Sequence, residues 1–73
     1  MAPVIPHTAR QIEADLARRI GEREFAPGTR LPSYAALSAE YGSARRTVAR
    51  AIDALKARGL VVGVVGSGTY VAE

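Results

Sequence analysis

The sequence predicts a mainly α domain of three helices closed by a small β-hairpin, and three observations carry that reading. Apolar residues recur at helical spacing in three stretches, around Ile12, Leu37 and Ile52. From Leu60 the period changes from 3.6 to 2, with β-branched and aromatic residues on both sides of a glycine-rich turn. At 73 residues the chain has room for one small core and no more.

Residues 1–7, with Pro3 and Pro6, read as a flexible N-terminal arm, and residues 8–73 as the folded domain. Thr8-Ala9-Arg10-Gln11 has the form of a capping box and opens the first helix. Ile12, Leu16 and Ile20 make its core stripe, with Ala9 in support, while Glu13, Arg18, Arg19 and Glu22 read as a solvated face. Gly21 weakens the last turn, so the helix is expected to fray by about Glu24, and Phe25 to plug the core. Ala26-Pro27-Gly28-Thr29 is a turn. Arg30-Leu31 is too short for a free strand and is expected only as a paired stub. Ser33 caps a second helix whose buried face holds Leu37 and Tyr41, joined by Tyr34.

The stretch Tyr41–Gly59 organises the rest. Val48, Ala51, Ile52 and Leu55 stack on one face of a helix, and Arg46, Ala49, Arg50 and Asp53 fall opposite, with Arg45 and Thr47 on the flanks. Gly42 breaks the chain ahead of it, Ser43 is expected to cap it, and Gly59 closes it. Lys56 and Arg58 occupy the last turn, where cations suit the helix dipole. A short helix, a glycine turn and a helix with a basic outer face make a helix-turn-helix. Its second helix is expected to enter the DNA major groove by the N-terminal end. Leu60–Val65 and Thr69–Ala72, split by Gly66-Ser67-Gly68, form the hairpin. Helix, stub, helix, helix, hairpin is the order of a winged helix-turn-helix with a two- or three-stranded wing.

Composition narrows the chemistry. There is no cysteine, so neither a disulfide framework nor a thiolate metal site can form, and His7 is the single histidine. No cofactor and no catalytic group is expected. Gly63-x-x-Gly66-x-Gly68 follows a strand, but no helix comes after it to hold a phosphate, and it lacks a P-loop lysine. No apolar run approaches 18 residues and the N-terminus lacks a signal-peptide layout, so a soluble, cytoplasmic protein is expected. The net charge of +3 is unevenly spread. Residues 1–29 balance, whereas residues 30–60 hold Arg30, Arg45, Arg46, Arg50, Lys56 and Arg58 against Glu40 and Asp53. Positive charge therefore gathers on the helix-turn-helix, as on a polyanion-binding face.

The chain resembles the GntR family of bacterial transcription regulators in its N-terminal DNA-binding domain. The likeness rests on Pro27-Gly28-Thr29-Arg30-Leu31-Pro32-Ser33, then Leu37, Gly42, Arg45, Thr47-Val48, Ala51, Leu55 and Gly59-Leu60. It ends in Gly66-Ser67-Gly68-Thr69-Tyr70-Val71. The resemblance implies that Arg45, Arg46, Thr47 and Arg50 reach the major groove, that Gly66, Ser67 and Gly68 form a wing tip near the minor groove, and that Ser33, with Tyr34 beside it, lies against a phosphate. Departures are Ala35 and Ala44, where the family commonly has arginine and serine, and the uncharged run Val61-Val62-Gly63-Val64-Val65 in place of a basic wing. Family members continue into an effector-binding and dimerising domain, and this sequence stops where that domain would begin.

Together these readings predict sequence-specific binding of a double-stranded DNA operator by a transcription regulator, most often a repressor in that family. The alternative is a winged helix that docks a protein partner through Val61–Val65, although burial of that strand against the first helix is the stronger expectation. With the apolar side chains committed to one core, the chain is expected to be a monomer that pairs only on DNA or through a missing C-terminal domain.

Overall fold

The computed structural model describes residues 5–73 and contains three helices and a hairpin: α1 (Ala9–Gly21), α2 (Tyr34–Tyr41), α3 (Arg45–Ala57), β1 (Val61–Val64) and β2 (Gly68–Val71). The expectation of a loose arm over residues 1–7 falls, for residues 1–4, outside the described residues. His7 departs from it. Its backbone N–H donates to Ser43 Oγ at 3.0 Å and its carbonyl accepts from the same hydroxyl at 2.6 Å.

The caps of α1 and α2 form as their residues dictate. The Thr8 hydroxyl accepts from the Gln11 N–H, and the Gln11 side chain accepts from the Thr8 N–H, closing the capping box. Ser33 Oγ accepts from the Ala36 N–H at 3.0 Å. Gly42 ends α2 in the left-handed region at φ 64°, and so turns the chain sharply into α3. The cap of α3 differs from expectation. Its N-cap is Ala44, with no side-chain hydrogen bond, because Ser43 is buried and its hydroxyl is taken by His7.

α3 is the centre of the domain and packs against α1, α2 and β1. Its Val48, Ala51, Ile52 and Leu55 are buried with Ile12 and Leu16 of α1, Leu37 and Tyr41 of α2, and Leu31, Val61 and Val71. Ile20, Phe25, Tyr34 and Leu60 close over this core from its margin. A core this small supplies roughly 3–5 kcal/mol, and truncating one fully buried side chain such as Ile52 to Ala costs about 2–5 kcal/mol. The core therefore has no slack.

β1 and β2 pair antiparallel, Val61 opposite Val71 and Val64 opposite Gly68. The stub forms on the other side of β2. Arg30 bridges to Tyr70, the Leu31 N–H donates to the Thr69 carbonyl at 2.8 Å, and the Val71 N–H donates to the Thr29 carbonyl at 2.9 Å. β2 is thus enclosed on both edges and β1 is the outer strand. The hairpin valines correct an expectation. Only the Val61–Val71 pair reaches the core, while Val62, Val64 and Val65 are exposed, because the hairpin projects past the helices beyond that pair.

Arg19 corrects another. Its side chain is only 12% exposed, and it binds Glu24 at 2.6 Å, the Tyr41 hydroxyl at 2.9 Å and the Glu40 carboxylate. The guanidinium also lies 4.5 Å from the centre of the Phe25 ring, a cation–π contact. These partners hold Arg19 charged well above the ordinary arginine value, against the burial that opposes it. The Tyr41 hydroxyl donates onward to Asp15 at 2.6 Å. Arg18 and Glu22 stay exposed as expected, whereas Arg19, with Asp15, fastens α1 to α2.

Candidate nucleic-acid interface

The candidate interface begins with α3. The packing that buries Val48, Ala51, Ile52 and Leu55 leaves Arg45, Arg46 and Arg50 exposed, with Thr47 and Ala49 half-buried between the two faces. Arg46 and Arg50 are one turn apart and share a face. Arg45 stands beside them in the first turn. Among the described residues none of the three takes part in an ion pair. The cations that are paired, Arg18, Arg19 and Arg58, bind Glu13, Asp15, Glu22, Glu24 and Glu40. Carboxylates are thus used up around α1, and the front of α3 keeps its charge for an external partner. Asp53, two turns along, is the single acidic residue on that helix.

The remaining predicted residues lie together elsewhere. Ser33, Tyr34, Gly66, Ser67 and Gly68 line one cleft of about 560 Å³ between the start of α2 and the wing. The Ser33 oxygen is occupied as the α2 cap, but its proton stays free to donate. Tyr34 is half-buried and packs against the core, so only part of it faces the cleft. Ser67 is engaged with the Tyr70 hydroxyl, which steadies the turn. Gly66 and Gly68 have φ of 78° and 140°, values that favour glycine and leave the wing tip without bulk. At the outermost point Val65 is fully exposed, at 103%.

Two residues of this cleft escaped sequence reasoning as site residues. Arg30, from the stub, and Lys56, from the last turn of α3, both line it. Gly63 and Gly68, opposite Thr69 and Val64 in the hairpin register, carried the available signal: a strand glycine marks the close approach of another group. Among the described residues no cluster of histidine and carboxylate groups suits a metal ion, and no helix is long and apolar enough to cross a membrane.

Comparison with known proteins agrees with this geometry. Residues 8–71 match the family described as "Bacterial regulatory proteins, gntR family". The chain is 39% identical over 64 residues to the mannosyl-D-glycerate transport/metabolism system repressor MngR of Escherichia coli, covering 88% of this chain and 27% of that protein. It is 36% identical over 63 residues to the histidine utilization repressor of Klebsiella aerogenes, covering 86% of this chain and 26% of the other. The chain thus spans about a quarter of the length of these two repressors. Among solved structures, the DNA-binding domain of AraR in complex with its operator ORE1 superposes with a TM-score of 0.85 at 29% identity. That match covers 99% of this chain and 83% of the AraR chain.

Proposed function

The chain belongs to the gntR family of bacterial regulatory proteins, and from that premise we propose that it binds double-stranded operator DNA sequence-specifically, as the DNA-binding part of a transcription repressor. The observation that carries this reading is the unpaired arginine face of α3. A helix that presents Arg45, Arg46 and Arg50 without a carboxylate partner among the described residues suits a polyanion, and its width suits the major groove. Arg45 and Arg46 read bases ahead of Arg50, with Thr47 supporting them and Ser33 and Tyr34 against a phosphate. Gly66, Ser67 and Gly68 bring the wing tip to the minor groove. The role is binding rather than catalysis, it uses no cofactor, and it is set in the cytoplasm.

Repressors matched over this segment, and a close structural likeness to a domain on its operator, support the proposal. The test is selection of bound sequences from random duplex DNA by the purified chain. A recurring motif of several base pairs supports the reading, and failure to enrich any duplex sinks it.

A second reading has one observation in its favour. Val62 and Val64 are exposed on the outer strand and Val65 in the turn after it, which suits a wing that docks a protein. It leaves the unpaired arginines of α3 without a purpose. Substituting the valines by threonine should spare DNA binding, whereas substituting the arginines should abolish it.

A further inference from the structure

The wing carries no basic residue between Val61 and Val71, yet the structure brings two cations to it from elsewhere. The Lys56 side chain reaches from the end of α3 across Gly63. A Cβ at that position would lie 3.0 Å from Lys56 Nζ. The Arg30 guanidinium lies across Gly68, where a Cβ would stand 2.7 Å from its Nε. Gly63 and Gly68 are near neighbours on the paired strands, opposite Thr69 and Val64 respectively. The absence of a side chain leaves room for a cation at each glycine, Lys56 at Gly63 and Arg30 at Gly68, and both cations line the same cleft. Both are exposed, and neither forms an ion pair among the described residues. Between them lies the cleft of about 560 Å³, with the free proton of Ser33 at its α2 side.

We propose that this cleft is a clamp for a backbone phosphate of the duplex, formed by Arg30 and Lys56 with Ser33, and that it supplies the charge the wing itself lacks. The proposal rests on the DNA-binding reading and names a contact within it. A phosphodiester is the ligand that fits. It carries one negative charge and two free oxygens, enough for a guanidinium on one side and an ammonium and a hydroxyl on the other. The cleft also joins the two parts of the interface, since Lys56 belongs to the helix that bears Arg45, Arg46 and Arg50, while Arg30 abuts the wing. The strand of DNA that passes from the major groove at α3 to the minor groove at the wing tip crosses it. As a phosphate contact it adds affinity and carries no base preference.

The test measures the salt dependence of binding for the chain and for Arg30→Gln, Lys56→Gln and the double variant. Each is measured on a duplex selected by the parent chain and on a random duplex. Removing one phosphate contact lowers the log–log salt slope by about 0.9. The expected loss of affinity at 0.15 M salt is roughly fivefold for the double variant and about twofold for each single variant, since the two cations share one phosphate, and it is equal on both duplexes. Arg30→Lys and Lys56→Arg should retain the parent slope. The clamp is overturned when the glutamine variants keep the parent slope, or when the charge-keeping variants lose it as well, which would mark a structural role. Either result leaves the DNA-binding reading standing. That reading fails separately, when the parent chain itself binds no duplex or binds without dependence on salt.

Discussion

The Arg19 guanidinium donates to the Tyr41 hydroxyl at 2.9 Å, and that hydroxyl donates in turn to Asp15, so α1 and α2 are joined through one phenol. Tyr41→Phe keeps the ring and removes this link, leaving the Arg19–Glu40 pair. Expected is a loss of about 1–3 kcal/mol, since two charged partners lose a hydrogen bond at a half-buried site. Arg19→Ala should cost at least as much, because Glu24, Glu40 and the Phe25 ring lose their partner as well. Urea unfolding of both variants checks the order.

The same network fixes how stability responds to pH. The bond from Tyr41, and then that from Arg18, hold the Asp15 carboxyl below its usual range. A carboxylate with a depressed folded value stabilises above its unfolded value, near pH 4, and that stability is lost as pH falls further. Tyr41 behaves in the opposite sense. Burial, and next its bond to Asp15, push the phenol up to about 12. Its contribution is complete below the unfolded value near pH 10 and is lost as pH rises from 10 through 12, a change of roughly 2 kcal/mol. Melting temperatures recorded from pH 2 to 12 should fall at both ends, and Tyr41→Phe should blunt the alkaline fall.

Arg45→Ala, Arg46→Ala and Arg50→Ala should separate readers of sequence from holders of phosphate. A bidentate arginine–guanine contact discriminates by about 1–3 kcal/mol. Arg45→Ala and Arg46→Ala are therefore expected to narrow the gap between the selected and random duplexes more than Arg50→Ala. Equal losses on both duplexes for all three would remove the claim that α3 reads bases.

Arg23 stands in the left-handed region at φ 65°, immediately after the α1 cap. A side chain there costs about 1–2 kcal/mol, which glycine avoids at some loss of chain entropy. Arg23→Gly should raise stability by about 0.5–1 kcal/mol. A drop in the urea midpoint would show that the arginine makes up its strain elsewhere.

The exposed valines bear on oligomeric state. A stable dimer needs an interface burying roughly 1,000 Å² or more, and Val62, Val64 and Val65 alone fall well short of that. Sedimentation at micromolar concentration should give a monomer of 7.7 kDa without DNA. A compact dimer would place those valines in a self-association face.

What could be read in the sequence was whatever repeats locally. The two faces of α3, the Thr8 and Ser33 caps, the Gly42 turn and the hairpin all follow from spacing within one element, and all are present. What escaped depends on contacts between distant residues. The hydroxyl of Ser43 is drawn away from α3 by His7, 36 residues earlier. Arg19 sits at a polar position of its own helix, and only residues from α2 and the following turn bury it. Spacing likewise shows that the valines suit a strand, but not where the hairpin leaves the core. Arg30 and Lys56 are 26 positions apart and belong to different elements, so their meeting at one cleft could be seen only in three dimensions.

Most of the unpaired cations lie on α3 and the cleft, with Arg10 and Arg23 the exceptions near α1, and this gives the domain an electrical orientation. As it nears a polyanion, the free cations turn towards it before any atom touches, so encounters are biased to the productive side. The consequence is kinetic. Association should be fast and should slow steeply with ionic strength. Residence on a chosen site, governed by short-range contacts, should change less. A search made this way is guided over distances of about a Debye length, ~10 Å at 0.1 M salt.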